Sequence, residues 1–359
     1  MLSAAGPLQR EAAPKGERLL SISITPPELD GSRETWEAYE AALDRGLWMG
    51  VDVPGALTFR WNAIEVKERS RAPRYEAENL VRWIELLRKR NLPAVITIAP
   101  FETLQSRIPK DLANVPYDHP RVLERLTSFV DWVYETTEGI DTVAIVFGDE
   151  FDLHVGFAAA TERERWTQLD GMVARVKSHV RTLPRWSEAP FALEATYDGL
   201  VGPHRKQLQR LNRHADVIGV SYYPMGERVA EDPEVIGEHF DVLFGYYPGE
   251  KVHFYSAGYP SSARIGGSLD RQRRFVAEMF AEWDGHRDRI GLVNFTSLYD
   301  VRSSEPTNLT PVTFSAGQGT AASEEFTRSL GLLGRDVGDI KPAYYELKRQ
   351  ARARGWQER

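Results

Sequence analysis

TVAIVFGDEFD, from Thr142 to Asp152, is an apolar, β-rich run that stops at Gly148 and opens into a cluster of acids. A run of this kind has the form of a strand carrying side chains to a site. Seven others accompany it: LLSISIT from Leu19, ALTFRW from Ala56, LPAVITIA from Leu92, PFALEAT from Pro190, VIGVSYY from Val217, VHFYS from Val252 and IGLVNFT from Ile290. Most are continuously apolar rather than alternating, as parallel strands covered on both faces are. Amphipathic segments separate them. Trp36, Tyr39, Leu43 and Leu47 recur at helical spacing, as do Leu80, Ile84 and Leu87, then Val122, Leu126, Phe129 and Val133. Trp166, Leu169, Val173 and Val176 form a further stripe, and Val276, Met279, Phe280 and Trp283 another. The aromatics on these stripes are assigned to the core.

Eight strands in one unbroken β–α series predict an α/β fold, a (β/α)8 TIM barrel forming a single domain over residues 18–359. A doubly wound sheet is the alternative, but the glycine-rich first turn that usually marks it is absent after Thr25. Thr161 and Glu164 resemble a capping box, and Asp232-Pro233 an N-cap with proline at the first helical position. Val301–Glu324 reads as a long loop, and a closing helix is expected over Lys341–Ala353. Residues 1–17 are expected to be a flexible leader.

With 359 residues, 42% of them hydrophobic, the chain can bury a large core. Its net charge of −7 and scattered basic residues lack the footprint of a nucleic-acid binder. No apolar run approaches the roughly 20 residues of a membrane span. The absence of cysteine excludes disulfides, thiol nucleophiles and zinc–thiolate sites. The first 17 residues lack the apolar core of a signal peptide. The compartment is left open: cytoplasmic, or exported if a signal has been removed.

In a parallel barrel, function sits at the carboxyl ends of the strands. Those ends carry Arg60 and Trp61; Glu102 and Arg107; Asp149, Glu150, Asp152 and His154; Glu194, Tyr197 and Asp198; Tyr222 and Tyr223; Ser256 and Tyr259; and Asp300. A ring of carboxylates and aromatics suits sugar chemistry, in which acids move protons and aromatic faces stack on pyranose rings. For most of these acids a salt bridge or helix cap is the commoner use. Glu150 differs: Asp149 and Asp152 beside it would oppose its ionisation and raise its pKa, as a general acid requires. Metal binding is the rival reading of the cluster, but no partners stand at ligand spacing, so no metal or other cofactor is expected. Phosphate-loop, nucleophile-elbow and HExxH motifs are all missing. A barrel lyase or isomerase would want a metal, a phosphate site or a Schiff-base lysine, and no strand end offers a lysine. Asn308-Leu309-Thr310 matches a glycosylation sequon and is given little weight.

From Leu19 onward the chain resembles the superfamily of retaining (β/α)8-barrel glycoside hydrolases. GDEFD at Gly148–Asp152 is similar to that superfamily's strand-four motif, Gly-Asn-Glu followed by an acid, and DVIGVSYYP at Asp216–Pro224 to its strand-six segment, nearest the endo-galactanase and cellulase-like branches. SAGYPSS at Ser256–Ser262 resembles the strand-seven segment, and GLLGRDVGDIKPAY resembles the final strand-to-helix passage. The resemblance implies a carbohydrate partner, Glu150 as acid/base, and substrate contacts from Arg60, Trp61, Asp149, Tyr222, Tyr223, Tyr259 and Asp300.

Two departures matter. Asp149 replaces the usual Asn and can accept, not donate, a hydrogen bond to a sugar hydroxyl. Ser256 stands where the resemblance implies the nucleophilic Glu, so the residue at this catalytic position is neutral. Retaining hydrolysis needs two carboxyl groups about 5–5.5 Å apart. Three accounts fit: a saccharide-binding pseudo-enzyme, a second carboxylate moved to Glu194, Asp198 or Asp300, or an introduced replacement at Ser256. A slipped register is no remedy, since no acid lies between Lys251 and Asp270.

Overall fold

The computed structural model describes residues 13–24, 35–66, 74–156, 162–226, 229–301, 319–335 and 338–359. Eight strands form the barrel: β1 (Leu19–Ile22), β2 (Ala56–Arg60), β3 (Ala94–Glu102), β4 (Thr142–Asp149), β5 (Phe191–Thr196), β6 (Val217–Tyr222), β7 (Val252–Ala257) and β8 (Ile290–Phe295). From β2 to β8 each strand pairs in parallel with the next, and β8 pairs with β1. The ring closes between β1 and the approach to β2, where Asp52 N donates to Leu20 O at 2.8 Å and Ser21 bridges Val53 in parallel.

Eight helices follow the strands: α1 (Trp36–Leu47), α2 (Glu78–Lys89), α3 (Pro120–Thr136), α4 (Glu162–Val180), α5 (Arg205–Leu211), α6 (Ile236–Tyr246), α7 (Leu269–Gly285) and α8 (Pro342–Ala353). Their starts are encoded locally. Thr35 accepts from Ala38 N at the head of α1, Pro120 opens α3 behind His119, and Ser268 accepts from Arg271 N at the head of α7.

The apolar side chains form two packed groups. The larger fills the layer between barrel and helices, where the stripes read from the sequence are buried: Leu43, Ile84, Phe129, Val173 and Phe280 among them. The smaller comprises Val53, Val95, Ala144, Val146, Ala192, Val217, Tyr255 and Leu292. These come from six strands and the approach to β2, and they alternate with residues of the outer layer, which identifies them as the filling of the barrel interior. Above them along β4 and β5 the inward positions turn polar.

Three expectations are corrected. Residues 1–12 of the expected leader lie outside the described residues, but Ala13–Glu17 is tied down: Ala13 N donates to Asp284 Oδ2 at 3.2 Å and Lys15 pairs with Asp52 at 2.5 Å. Arg18 and Arg354 both hold the Asp284 carboxylate, and Arg18 stacks 5.2 Å from the Trp283 ring. The expected loop over Val301–Glu324 ends in a helix, Gly319–Thr327, because Phe326 packs into the core; residues 302–318, with the sequon at Asn308, lie outside the described residues. Proline opens the last helix at Pro342, with Lys341 as its N-cap. Thr161 also lies outside the described residues, whereas Asp232 caps a short 3-10 turn at Pro233–Val235 by accepting from Glu234 N. No described helix is long and apolar enough to cross a membrane.

Candidate active site

The end of β4 is a strained turn. Gly148 has φ +76° and Glu150 has φ +49°, a left-handed conformation uncommon for a residue with a side chain. It folds the backbone back so that Leu153 N bonds to Glu150 O, starting the short helix Phe151–Gly156. The Glu150 carboxyl is fixed on one side only: Ser221 Oγ on β6 donates to its Oε1 at 2.5 Å, while Oε2 is buried with no partner. Burial, then the charge of Asp149, pushes its pKa well above the usual carboxylate range, against the Ser221 hydrogen bond.

Its neighbours divide into held and free groups. Glu102 is clamped by Arg60, whose Nε lies 2.8 Å from both carboxylate oxygens, and by Arg107 at 2.6 Å. Burial opposes its ionisation, but the hydrogen bonds and charge of Arg60, then Arg107, hold its pKa below the usual range. Asp152 accepts from Thr196 N at 3.0 Å and Thr196 Oγ1 at 2.7 Å, joining the end of β4 to that of β5. Burial raises its pKa to about 6. Asp149 is half-buried. Burial, then Glu102, lifts its pKa to about 7, with Arg60 and Arg107 opposing.

Beneath Glu150 lies a second free carboxyl. Glu194 on β5 is only 4% exposed, and its Oε1 is buried without a partner. It pairs in register with Gly219, where an added Cβ would come 2.6 Å from Leu193 O, so β5 and β6 approach closely at this level. Burial, then Asp149 and Glu150, pushes the Glu194 pKa well up; the Ser256 hydroxyl facing it, as a donor, works the other way. Ser256 is the register partner of Ser221 and follows a bulge in β7. Tyr223, just past β6, and Thr296, just past β8, complete the group. Their hydroxyls face one another closely enough to interact, but neither makes a hydrogen bond of normal geometry.

Of the residues expected to touch substrate, Arg60, Asp149, Tyr223, Glu150 and Ser256 converge on this mouth. Four others do not, and those expectations are corrected. The Trp61 indole is fully buried, stacks on Phe129 of α3 at 6.1 Å and donates to Glu65 Oε2 at 2.6 Å. Tyr222 is fully buried against Phe240 and Phe254, with its hydroxyl 3.0 Å from His239 Nδ1. Tyr259 packs on Phe275, and its hydroxyl donates to Glu231 O at 2.5 Å. Asp300 pairs with buried Lys341 at 2.7 Å and accepts from Gly331 N at 2.8 Å. Alternation along a strand explains the first two: Arg60 and Tyr223 face inward, so adjacent Trp61 and Tyr222 face the helices. Sequence reasoning placed Ser221 at the end of the sixth strand without giving it a role, and did not single out Thr296. The signal was available, since each stands two residues from an inward neighbour on its strand, Ser221 before Tyr223 and Thr296 after Asn294. His154 is structural, stacked on Phe101 at 5.3 Å with Nδ1 3.0 Å from Leu104 O. No cluster of His, Cys, Asp and Glu able to hold a metal occurs among the described residues.

No protein-family model matches the sequence, and no curated protein matches it. Solved structures do. The GH5_18 protein of Streptomyces cattleya, in complex with GlcNAc, superposes with a TM-score of 0.68 at 14% identity, over 96% of this chain and 81% of that one. The shared fold is a (β/α)8 barrel. A GH5_18 variant from Bifidobacterium longum subsp. longum, in complex with Manβ1-4GlcNAc, gives 0.66 at 13% identity over 95% of this chain and 79% of that one. Bacteroides uniformis beta-glucuronidase 2 gives 0.61 at 14% identity over 94% of this chain and 35% of that one. At such identities the likeness speaks for the fold alone.

Proposed function

We propose that the chain is a carbohydrate-active protein of glycoside hydrolase type, acting at O-glycosidic linkages of an oligo- or polysaccharide, with Glu150 as general acid/base. One observation carries this reading. Glu150 Oε2, Glu194 Oε1, Tyr223 Oη and Thr296 Oγ1 are buried, unpartnered and gathered at one end of the barrel. Most buried polar atoms are hydrogen-bonded, so four unpartnered ones gathered in one place call for a polar ligand. Hydroxyls of a sugar both donate and accept, and so suit a mixed set of carboxyl and hydroxyl groups. Burial and Asp149 favour the protonated form of Glu150, the form in which an acid can protonate a leaving glycosidic oxygen. Arg60, with a side chain 43% exposed, and Asp149 stand beside it to hold ring hydroxyls.

Ser256 favours a second reading, a barrel that binds saccharide without cleaving it. Calorimetric titration with β-linked oligosaccharides, run beside a turnover screen on aryl glycosides, separates the two. Under the hydrolase reading Glu150→Gln binds within a few-fold of the parent and loses about 10²–10⁴ in turnover. Binding without turnover in the parent, with activity appearing in Ser256→Glu, favours the non-cleaving barrel. A parent that binds no saccharide sinks both.

A further inference from the structure

We propose that Glu194, acting through the Ser256 hydroxyl, is the second carboxyl of this site, and that hydrolysis there inverts the anomeric configuration. The inference rests on the glycoside hydrolase reading above and goes beyond it, since a barrel of retaining type would place the second carboxyl on β7.

Glu102, Asp152 and Asp300 are committed elsewhere, and Asp149 and Asp198 keep access to solvent. Glu102 is saturated by Arg60 and Arg107, Asp152 by Thr196, and Asp300 by Lys341 and Gly331 N. Asp198 is exposed. Among the described residues, Glu150 Oε2 and Glu194 Oε1 are the carboxyl oxygens that are both buried and unpartnered. Strand register sets them one step apart. Thr196 on β5 pairs with Ser221, which holds Glu150, and Glu194 lies two residues below Thr196 on the same inward face. Ser221 in turn pairs with Ser256, whose hydroxyl faces Glu194.

Serine is too short to serve as the attacking group in place of a glutamate, so a water takes that part. The wider carboxyl spacing of inverting sites, roughly 6.5–9.5 Å, accommodates such a water. Its oxygen bonds to the anomeric carbon as the glycosidic C–O bond breaks. Its proton passes to Ser256 Oγ while the Ser256 proton passes to the Glu194 carboxylate, and Glu150 gives its own proton to the leaving oxygen. One hemiacetal and one alcohol result, and transfer of the proton from Glu194 back to Glu150 through solvent resets the site. The working form thus carries one proton on the pair. Asp149 and Asp152 from the β4 end, Tyr223 from β6 and Tyr255 from β7 are the other titratable groups around Glu194, and mutual repulsion with Asp149 and Glu150 disfavours a second charge.

The deciding experiment is proton NMR of the sugar first released by the parent protein from an aryl glycoside, joined to pH profiles of Glu194→Gln and Ser256→Ala. The proposal expects the inverted anomer, loss of the acidic limb of kcat/KM in Glu194→Gln, and a roughly 10–100-fold lower kcat with near-parent KM in Ser256→Ala. Retention of configuration overturns it, as does a Glu194→Gln variant that turns over with the acidic limb intact. Should Glu194→Gln fail to fold, the anomer and Ser256→Ala still decide. Saccharide binding with no turnover in the parent overturns the inversion proposal alone, whereas no binding removes the reading beneath it.

Discussion

Glu150 shows how a single residue accumulates opposing costs. It sits at φ +49°, is enclosed in protein, and has one carboxyl oxygen without a partner. A left-handed non-glycine residue costs about 1–3 kcal/mol and persists only where the surroundings impose it. Here they do, through the Gly148 turn before it and the Leu153 hydrogen bond after it. Lys341 and Asp300 are the counter-example, a buried pair with every reason to be structural. The Lys341 ammonium reaches Asp300 Oδ1, Gly331 O and Ser261 Oγ, pinning the start of α8 to the segment after β8. Lys341→Met leaves the Asp300 carboxylate buried without its cation and is expected to cost about 3–5 kcal/mol in denaturant unfolding. Adding Asp300→Asn should recover part of that loss; no recovery would mean the ion pair is not the source. Both residues were legible as chemistry-bearing types, but only Glu150 followed a strand-to-turn break that fixed its direction. Asp300 lies five residues past β8, where periodicity has ended and the sequence carries no orientation.

At the scale of elements, the helices and strands were readable because their faces are continuous. A stripe such as Val122, Leu126, Phe129 and Val133 has one way to be buried, and all four are buried on α3. What the pattern did not reveal was the parity of the strand ends. A one-residue step exchanges barrel interior for helix layer, and Trp61, Tyr222 and Tyr223 are equally apolar as letters. Glycine marks one place where elements press closest. At Gly219 an added Cβ would meet Leu193 O at 2.6 Å and Glu194 Cα at 3.1 Å, so β5 would have to move away from β6 and carry Glu194 with it. Gly219→Ala is therefore expected to cost about 1–3 kcal/mol of stability and to weaken saccharide binding as well. A variant that loses stability while binding as tightly as the parent would separate Glu194 from the ligand site.

Across the whole molecule, buried acids set the response to pH. Asp149 is raised from 3.8 to about 7, Asp152 and Asp300 from 3.8 to about 6, and Glu150 and Glu194 are pushed up as well. Each binds its proton more tightly folded than unfolded, so its contribution is complete below the unfolded pKa and is lost as pH rises towards the folded one. Asp284, Glu346 and Glu102 are lowered, and their contribution is lost as pH falls through the acid range. The melting temperature should therefore peak in mild acid, near pH 5, and fall by at least about 2 °C at pH 8, with a shallower fall in Glu150→Gln. A Tm that rises from pH 5 to pH 8 would show that the carboxyl cluster is not buried as described. The sequence by itself determined the barrel: eight apolar runs and the stripes between them have to be covered on both faces, and a closed parallel sheet ringed by helices does that. It also determined that an acid ends the fourth strand and a serine the seventh. Only the tertiary structure decided which neighbours share that site. Facing direction and cross-strand register depend on how the ring closes, and closure alone sets Glu194, Ser256 and Ser221 beside Glu150 while turning Trp61 and Tyr222 away.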